Sequence, residues 1–190
     1  MKKILIVFYV LLQVSCVGFY TTSEGGFRVN KTKDFKYSKQ KYTSMPKTLI
    51  DTNSIYVMDS VFNKWDDNPM ERKGYRFVRF FSGGQALFIY NEGIPKLEKI
   101  NNKNIGTPAY YILEGNKLKV NIFSNINGGT TDFFYGKINN KGNLVIYEDT
   151  AVQIYFLGIL KSYKMAENSG RISYWTKIKV ENIENYKPNW

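Results

Sequence analysis

The chain contains no histidine and only one cysteine, Cys16. Histidine is the side chain that titrates nearest neutral pH and the commonest metal ligand. Without it, Ser-His-Asp and Cys-His nucleophilic machinery and every histidine-based zinc site are excluded. A lone cysteine closes no internal disulfide. Apolar runs are short as well: the first, Ile4–Leu12, falls well below the roughly 20 residues a membrane-crossing helix needs, and no later stretch approaches that length. Long stretches of helical periodicity are also missing. With no βαβ crossover available, any sheet is antiparallel.

Aromatic residues and positive charge are abundant. There are 15 Tyr, 13 Phe and 3 Trp, and 27 Lys and Arg stand against 16 Asp and Glu, a net charge of +11. That balance favours anionic neighbours such as lipid head groups, cell-surface polysaccharide or nucleic acid. Lys, Asn, Ile, Tyr and Phe all have AT-rich codons, so genome composition supplies part of the basicity.

The opening Met1-Lys2-Lys3 followed by Ile4–Leu12 has the layout of a secretory signal. Gln13-Val14-Ser15-Cys16 then resembles a bacterial lipobox: Ser15 and Val14 fit, and Gln13 stands where the pattern carries Leu. The resemblance implies removal of residues 1–15 and acylation of Cys16, each buried CH₂ contributing about 0.8 kcal/mol. Cleavage near Ser15–Gly18 without acylation, or an uncleaved anchor, are the other readings. Val17, rather than Asp, follows Cys16, which by the enterobacterial sorting rule points to the outer membrane. A secreted chain seldom meets nucleic acid, so that partner is not expected. Residues 16–50, with the polar and basic "VNKTKDFKYSKQKYTSMPK", read as a tether spanning roughly 30 Å. Residues 51–190 read as the folded domain.

In that domain short β-rich runs alternate with turn signals. Strands are expected over 54–60, 74–82, 85–92, 109–114, 117–124, 130–139, 143–149, 152–165 and 171–180, and one short helix within 94–104. Gly83-Gly84, Gly115-Asn116 and Asn140-Lys141-Gly142 mark tight hairpins. Gly136 and Gly158 mark bends within strands. About nine meandering strands leave exposed edges unless the sheet closes, so the expected fold is an all-β, up-and-down barrel. Over 75–81 both faces carry large apolar side chains, with Tyr75, Phe77 and Phe81 on one and Val78 and Phe80 on the other. Something therefore packs outside as well: the helix, the tether, the C-terminal tail or a partner.

The stretches "SCVGFYTT", "LIDTNSIYVMD", "YRFVRFFSGGQALF", "AYYILEGNKLKVNIF", "FFYGKINNKGNLVI" and "YWTKIKV" together resemble small lipocalin-like, calycin-type envelope lipoproteins. The resemblance implies a lipocalin-like barrel and no defined activity. The lipocalin Gly-x-Trp is replaced by Ser54-Ile55-Tyr56, so no binding residue is carried across.

Four groups of residues bear on chemistry. Asp66-Asp67, with Trp65, Asn68 and Glu71, are oxygen donors of the kind calcium takes, but they lack an EF-hand pattern, and no metal or cofactor is expected. Glu148-Asp149 and Asp132 are the carboxylates a glycan hydrolase would need. Arg76 and Arg79 fall on opposite faces of one strand, so one of them points inward or to the barrel mouth, where it meets a carboxylate or an anionic ligand head; a rim arginine stacked on an aromatic ring is the alternative. Tyr75, Phe77, Arg79, Phe88, Tyr110 and Phe134, with Tyr155, are the candidate lining of a ligand cavity. The competing possibility is a small barrel filled by its own side chains. The expected function is non-enzymatic: a membrane-anchored envelope lipoprotein that binds a small amphipathic ligand or an envelope protein. A structural component docking a partner through an exposed aromatic face is the second reading, and a carboxylate-based glycan hydrolase the third.

Overall fold

Three tight turns set the strand register. Gly84, Gly115 and Gly142 take φ of 78°, 61° and 78°, the left-handed region that residues with a Cβ rarely enter. Each turn joins two antiparallel strands that pair with one another. The computed structural model describes residues 19–29, 35, 49–63, 66–69, 74–125, 129–148 and 170–190. Its elements are β1 (Phe19–Thr21), β2 (Phe27–Val29), β3 (Ser54–Asn63), β4 (Asp66–Pro69), β5 (Tyr75–Phe80), β6 (Gln85–Asn91), α1 (Leu97–Asn101), β7 (Thr107–Glu114), β8 (Lys117–Ser124), β9 (Thr130–Ile138), β10 (Leu144–Glu148) and β11 (Arg171–Lys179).

Each of β5 through β10 pairs antiparallel with the next strand, and β3 pairs with β5. β11 then returns to β3, from Arg171↔Asn63 to Lys179↔Ser54, with a bulge at Tyr174/Trp175. The ring is closed: an eight-stranded antiparallel up-and-down barrel with one short helix. Closure removes the open edges that a meander of this length would otherwise leave. The run 152–165, expected as a further strand, lies outside the described residues. Asp66–Pro69, expected within a polar loop, instead forms β4, a short extension paired with the end of β3.

Alternation along the strands makes two apolar layers. Tyr56, Val78, Phe80, Tyr111, Leu118 and Ile146 belong to the inner one. Ile55, Phe77, Leu87, Tyr110 and Phe123 belong to the outer one. The outer layer is covered by α1, by Phe35, by the β1–β2 hairpin and by a C-terminal strap, residues 181–190, that ends with Trp190 buried.

Residues 19–29 are thus structured, although the tether reading of 16–50 treated them as loose. Phe19 and Phe27 each pack on Phe123, with ring centroids 5.2 and 6.0 Å apart, and the Phe27 amide donates to the Gly106 carbonyl at 3.1 Å. The polar composition that signals a tether begins only after Val29. Gly26 allows this docking by closeness rather than by conformation. A Cβ there would stand 2.2 Å from the Asn104 carbonyl oxygen.

The turns at 81–84, 115–116 and 139–143 gather at one end of the barrel, and Asn63, Asn91, Ser124 and Glu148 end their strands at the other. The interior at the turn end is solid. Phe80 stands edge-on to Tyr56 at 5.3 Å and to Tyr111 at 4.8 Å.

Candidate functional site

Toward the other end the filling runs out. A cavity of about 490 Å³ opens there, lined on the barrel side by Arg76, Phe88, Ile122, Phe134 and Trp175. It crosses the rim of β6 and continues beneath the hairpin, where Phe27, Phe77 and Ile105 line it. β6 allows this passage because its pairing with β7 stops at Phe88↔Thr107, short of the strand's end at Asn91.

The walls are aromatic. Phe88 meets Phe134 and Trp175 edge-on, both with centroids 6.2 Å apart. Trp175 keeps its polar edge occupied, since its Nε1 donates to Ser173 Oγ at 2.8 Å. It therefore offers the cavity mainly ring surface. Charge gathers at the entrance. Arg76 shares the inward face of β5 with Val78 and Phe80, but it sits at the rim and is exposed. Lys99 on α1 is exposed beside it. Neither has a partner among the described residues.

Glu24, at the tip of the hairpin, completes the rim. It accepts from Asn104 Nδ2 at 2.9 Å and also from Asn102 Nδ2. The bonds from Asn102 and then Asn104 hold its carboxyl below the usual glutamate range, against a small opposing push from burial. A depressed folded pKa contributes stability above the unfolded value, and that contribution fades as pH falls through the folded one. The hairpin tip is thus held best when Glu24 is ionised.

Of the residues named from the sequence as cavity lining, Phe88 and Phe134 are brought together in the barrel mouth. Tyr75, Phe77, Arg79 and Tyr110 lie in the outer layer instead, and only Phe77 reaches the cavity, from beneath the hairpin. The reason is local: β5 is apolar on both faces, so alternation separates its side chains into two sets without saying which set is inside. Trp175, Ile122 and Arg76 complete the site. For Trp175 the available signal was its spacing of two from the small polar Ser173, which it bonds inside the barrel. Tyr155 lies outside the described residues.

Arg79 is a fastener on the outer face. It donates to the Ile100 carbonyl at 3.0 Å, to Asn101 Oδ1 at 3.3 Å and to the Glu184 carbonyl. Its guanidinium stacks 4.8 Å from the Phe81 ring centre and 4.9 Å from that of Tyr186. Gln85 Nε2 donates to the main-chain oxygens of Pro188 and Trp190, both at 3.1 Å, and the Tyr110 hydroxyl donates to that of Trp190 at 2.5 Å. These bonds bind the strap to the barrel wall.

Asp132 is exposed on β9. Asp149, Trp65 and Glu71, and the side chains of Glu148, Asp66 and Asp67, lie outside what is described. Among the described residues no group of three acidic, Cys or His side chains could hold a metal ion, and no helix is long and apolar enough to cross a membrane. Compared with protein-family models, with curated proteins and with solved structures, the chain finds no match.

Proposed function

We propose that this chain is a non-enzymatic envelope lipoprotein whose barrel mouth holds a small amphipathic ligand. The observation that carries the reading is the aromatic cavity of about 490 Å³ with two cations at its entrance that have no partner among the described residues. That volume lies in the usual range for small-molecule sites, which are mostly apolar with a few placed polar groups. The apolar part of the ligand packs against Phe88, Phe134 and Trp175. An anionic head meets Arg76 and Lys99.

An anionic, environment-sensitive naphthalene sulfonate tests this. It is expected to bind with blue-shifted emission at one saturable site. Phe134→Asp, which sets a carboxylate among the rings, is expected to weaken it at least about tenfold. Near-UV circular dichroism, unchanged in that variant, shows that packing is intact. Native mass spectrometry of the protein from its own cells should show a co-purifying small molecule. Probe binding unaffected by Phe134→Asp, together with a clean mass of the bare chain, would end this reading.

The anchor in this proposal is the acylated Cys16, and the membrane the outer one. Metabolic labelling with a clickable fatty acid is expected to mark the protein and to disappear in Cys16→Ser. Labelling that persists in that variant would sink the anchor.

A second reading, a structural component docking an envelope protein, is supported by Phe62 and Tyr174. These lie side by side across β3 and β11 with centroids 5.8 Å apart, and are 36% and 42% exposed.

A further inference from the structure

The β1–β2 hairpin fixes where the chain reaches the barrel. Phe19, its first residue, packs on Phe123 with ring centroids 5.2 Å apart, and a Cβ on Gly129 would stand 3.0 Å from the Phe19 ring. Phe123 is one residue from the end of β8, and Gly129 stands just before β9 begins. Phe19 therefore sits at the open end of the barrel. Cys16 precedes it by three residues, and three residues span at most about 11 Å however the chain runs. An acyl group on Cys16 starts within that reach of the mouth. The gap this leaves between barrel and bilayer is about the width of a single helix, too shallow for a folded partner domain.

The two ends of the barrel differ in what they expose. Tyr90, one residue from the end of β6, is 52% exposed, and Ile94, in the connection that follows, is 77% exposed. Leu97, the first residue of α1, is exposed as well. The turns at the opposite end expose Ser82, Asn116, Asn140 and Lys141 instead. Lys96 and Lys99 stand exposed among the apolar residues of the open end. Apolar side chains interleaved with cations are what a membrane interface takes up. A hollow of about 460 Å³ lies between the hairpin tip and α1, lined by Ile94, Lys96, Lys99 and Asn102 together with Glu24 and Glu98. Its ammonium groups suit a phosphate, and its carboxylates suit the amine of a phospholipid head group. The net charge of +11 adds attraction to an anionic surface.

We infer that the open end of the barrel is a docking surface for a phospholipid bilayer, with Tyr90, Ile94 and Leu97 in the head-group layer and Lys96 and Lys99 at its phosphates. The inference rests on the acylated Cys16 proposed above. The mouth then faces lipid, and a small amphipathic ligand passes between cavity and bilayer without crossing bulk water.

The test uses the full chain purified from its own cells and reconstituted in vesicles of equal parts phosphatidylethanolamine and phosphatidylglycerol. Intact mass reports acylation of Cys16, which consumes the only native thiol. Ile94→Cys and, separately, Lys141→Cys then carry a nitrobenzoxadiazole fluorophore, and a nitroxide-labelled lipid serves as quencher. Both positions are exposed, so neither change disturbs the core. Emission at Ile94 is expected to shift to the blue in vesicles and to be quenched by the nitroxide lipid, while emission at Lys141 does neither. Lys96→Glu combined with Lys99→Glu is expected to weaken quenching at Ile94 at least about fivefold, since each lysine near an anionic surface contributes roughly that factor. Acylated Cys16 with equal responses at the two positions, or a stronger one at Lys141, overturns the docking and leaves the anchor standing. A response at Ile94 in native membranes that protein-free vesicles do not reproduce also overturns it, because the face then takes a protein. A mass showing bare Cys16 refutes the anchor itself, and the docking inference falls with it.

Discussion

Phe80→Ala is expected to lower stability by about 3–5 kcal/mol, the usual cost of emptying a buried phenylalanine site. Phe80 is fully buried at the solid end of the barrel. Its ring meets the edges or faces of Tyr56 and Tyr111 at interplanar angles of 83° and 77°, and such pairs add about 0.5–1.5 kcal/mol each beyond area burial. Neither tyrosine is free to collapse into the space. The Tyr56 hydroxyl accepts from the Asp51 amide at 3.0 Å, and the Tyr111 hydroxyl donates to the Phe81 carbonyl at 3.0 Å. Both rings are tied by their polar tips, so the cavity stays open and the penalty falls at the upper end of the range. Denaturant titration checks this, and the midpoint should fall with the slope unchanged. A loss below about 1 kcal/mol would mean that the plug repacks, and that rigidity at the turn end is not what shapes the cavity at the other.

The contrast between the two ends was only half legible in the sequence. Turn positions were readable because Gly84, Gly115 and Gly142 sit where a positive φ is required. The meander followed from them, and closure followed from the need to hide edges. What could not be read was which face of each strand turns inward. In β8, Leu118, Val120 and Ile122 oppose Lys117, Lys119 and Asn121, and the choice is plain. In β5, Phe77 and Arg79 alternate with Val78 and Phe80, and both sets are buried. The deciding partners of the outer set are far away in sequence: Phe19 and Phe27 in a stretch with no sustained period, and Tyr186 and Trp190 in a polar tail. Alternation is a local signal, whereas the outer layer is made of long-range contacts. For the same reason an arginine that reads as a ligand residue turns out to be a structural fastener.

That reassignment of Arg79 makes a sharp prediction. Arg79→Ala is expected to cost about 3 kcal/mol, since two buried or half-buried carbonyls lose their donor at about 1–3 kcal/mol each, and two aromatic rings lose their stacked cation. The relief of no longer burying a charge keeps the total from rising further. The damage should be local. The barrel strands are held by their own ladder, so far-UV circular dichroism should persist, while hydrogen exchange read by mass spectrometry should speed up across the strap, residues 181–190, and across α1. Arg79→Lys should fall between, because an ammonium group neither spans the Ile100 and Glu184 carbonyls nor stacks flat on Phe81. The ligand cavity gives an internal control. Its aromatic wall of Phe88, Phe134 and Trp175 does not touch Arg79, so a neutral apolar probe should bind the variant as it binds the parent. An anionic probe should bind more weakly, because Lys99 rides on the helix that Arg79 holds. If instead Arg79→Ala left strap exchange unchanged and abolished binding of the neutral probe, Arg79 would be a ligand residue after all, and the division of the barrel into an inner binding mouth and an outer fastening face would be wrong.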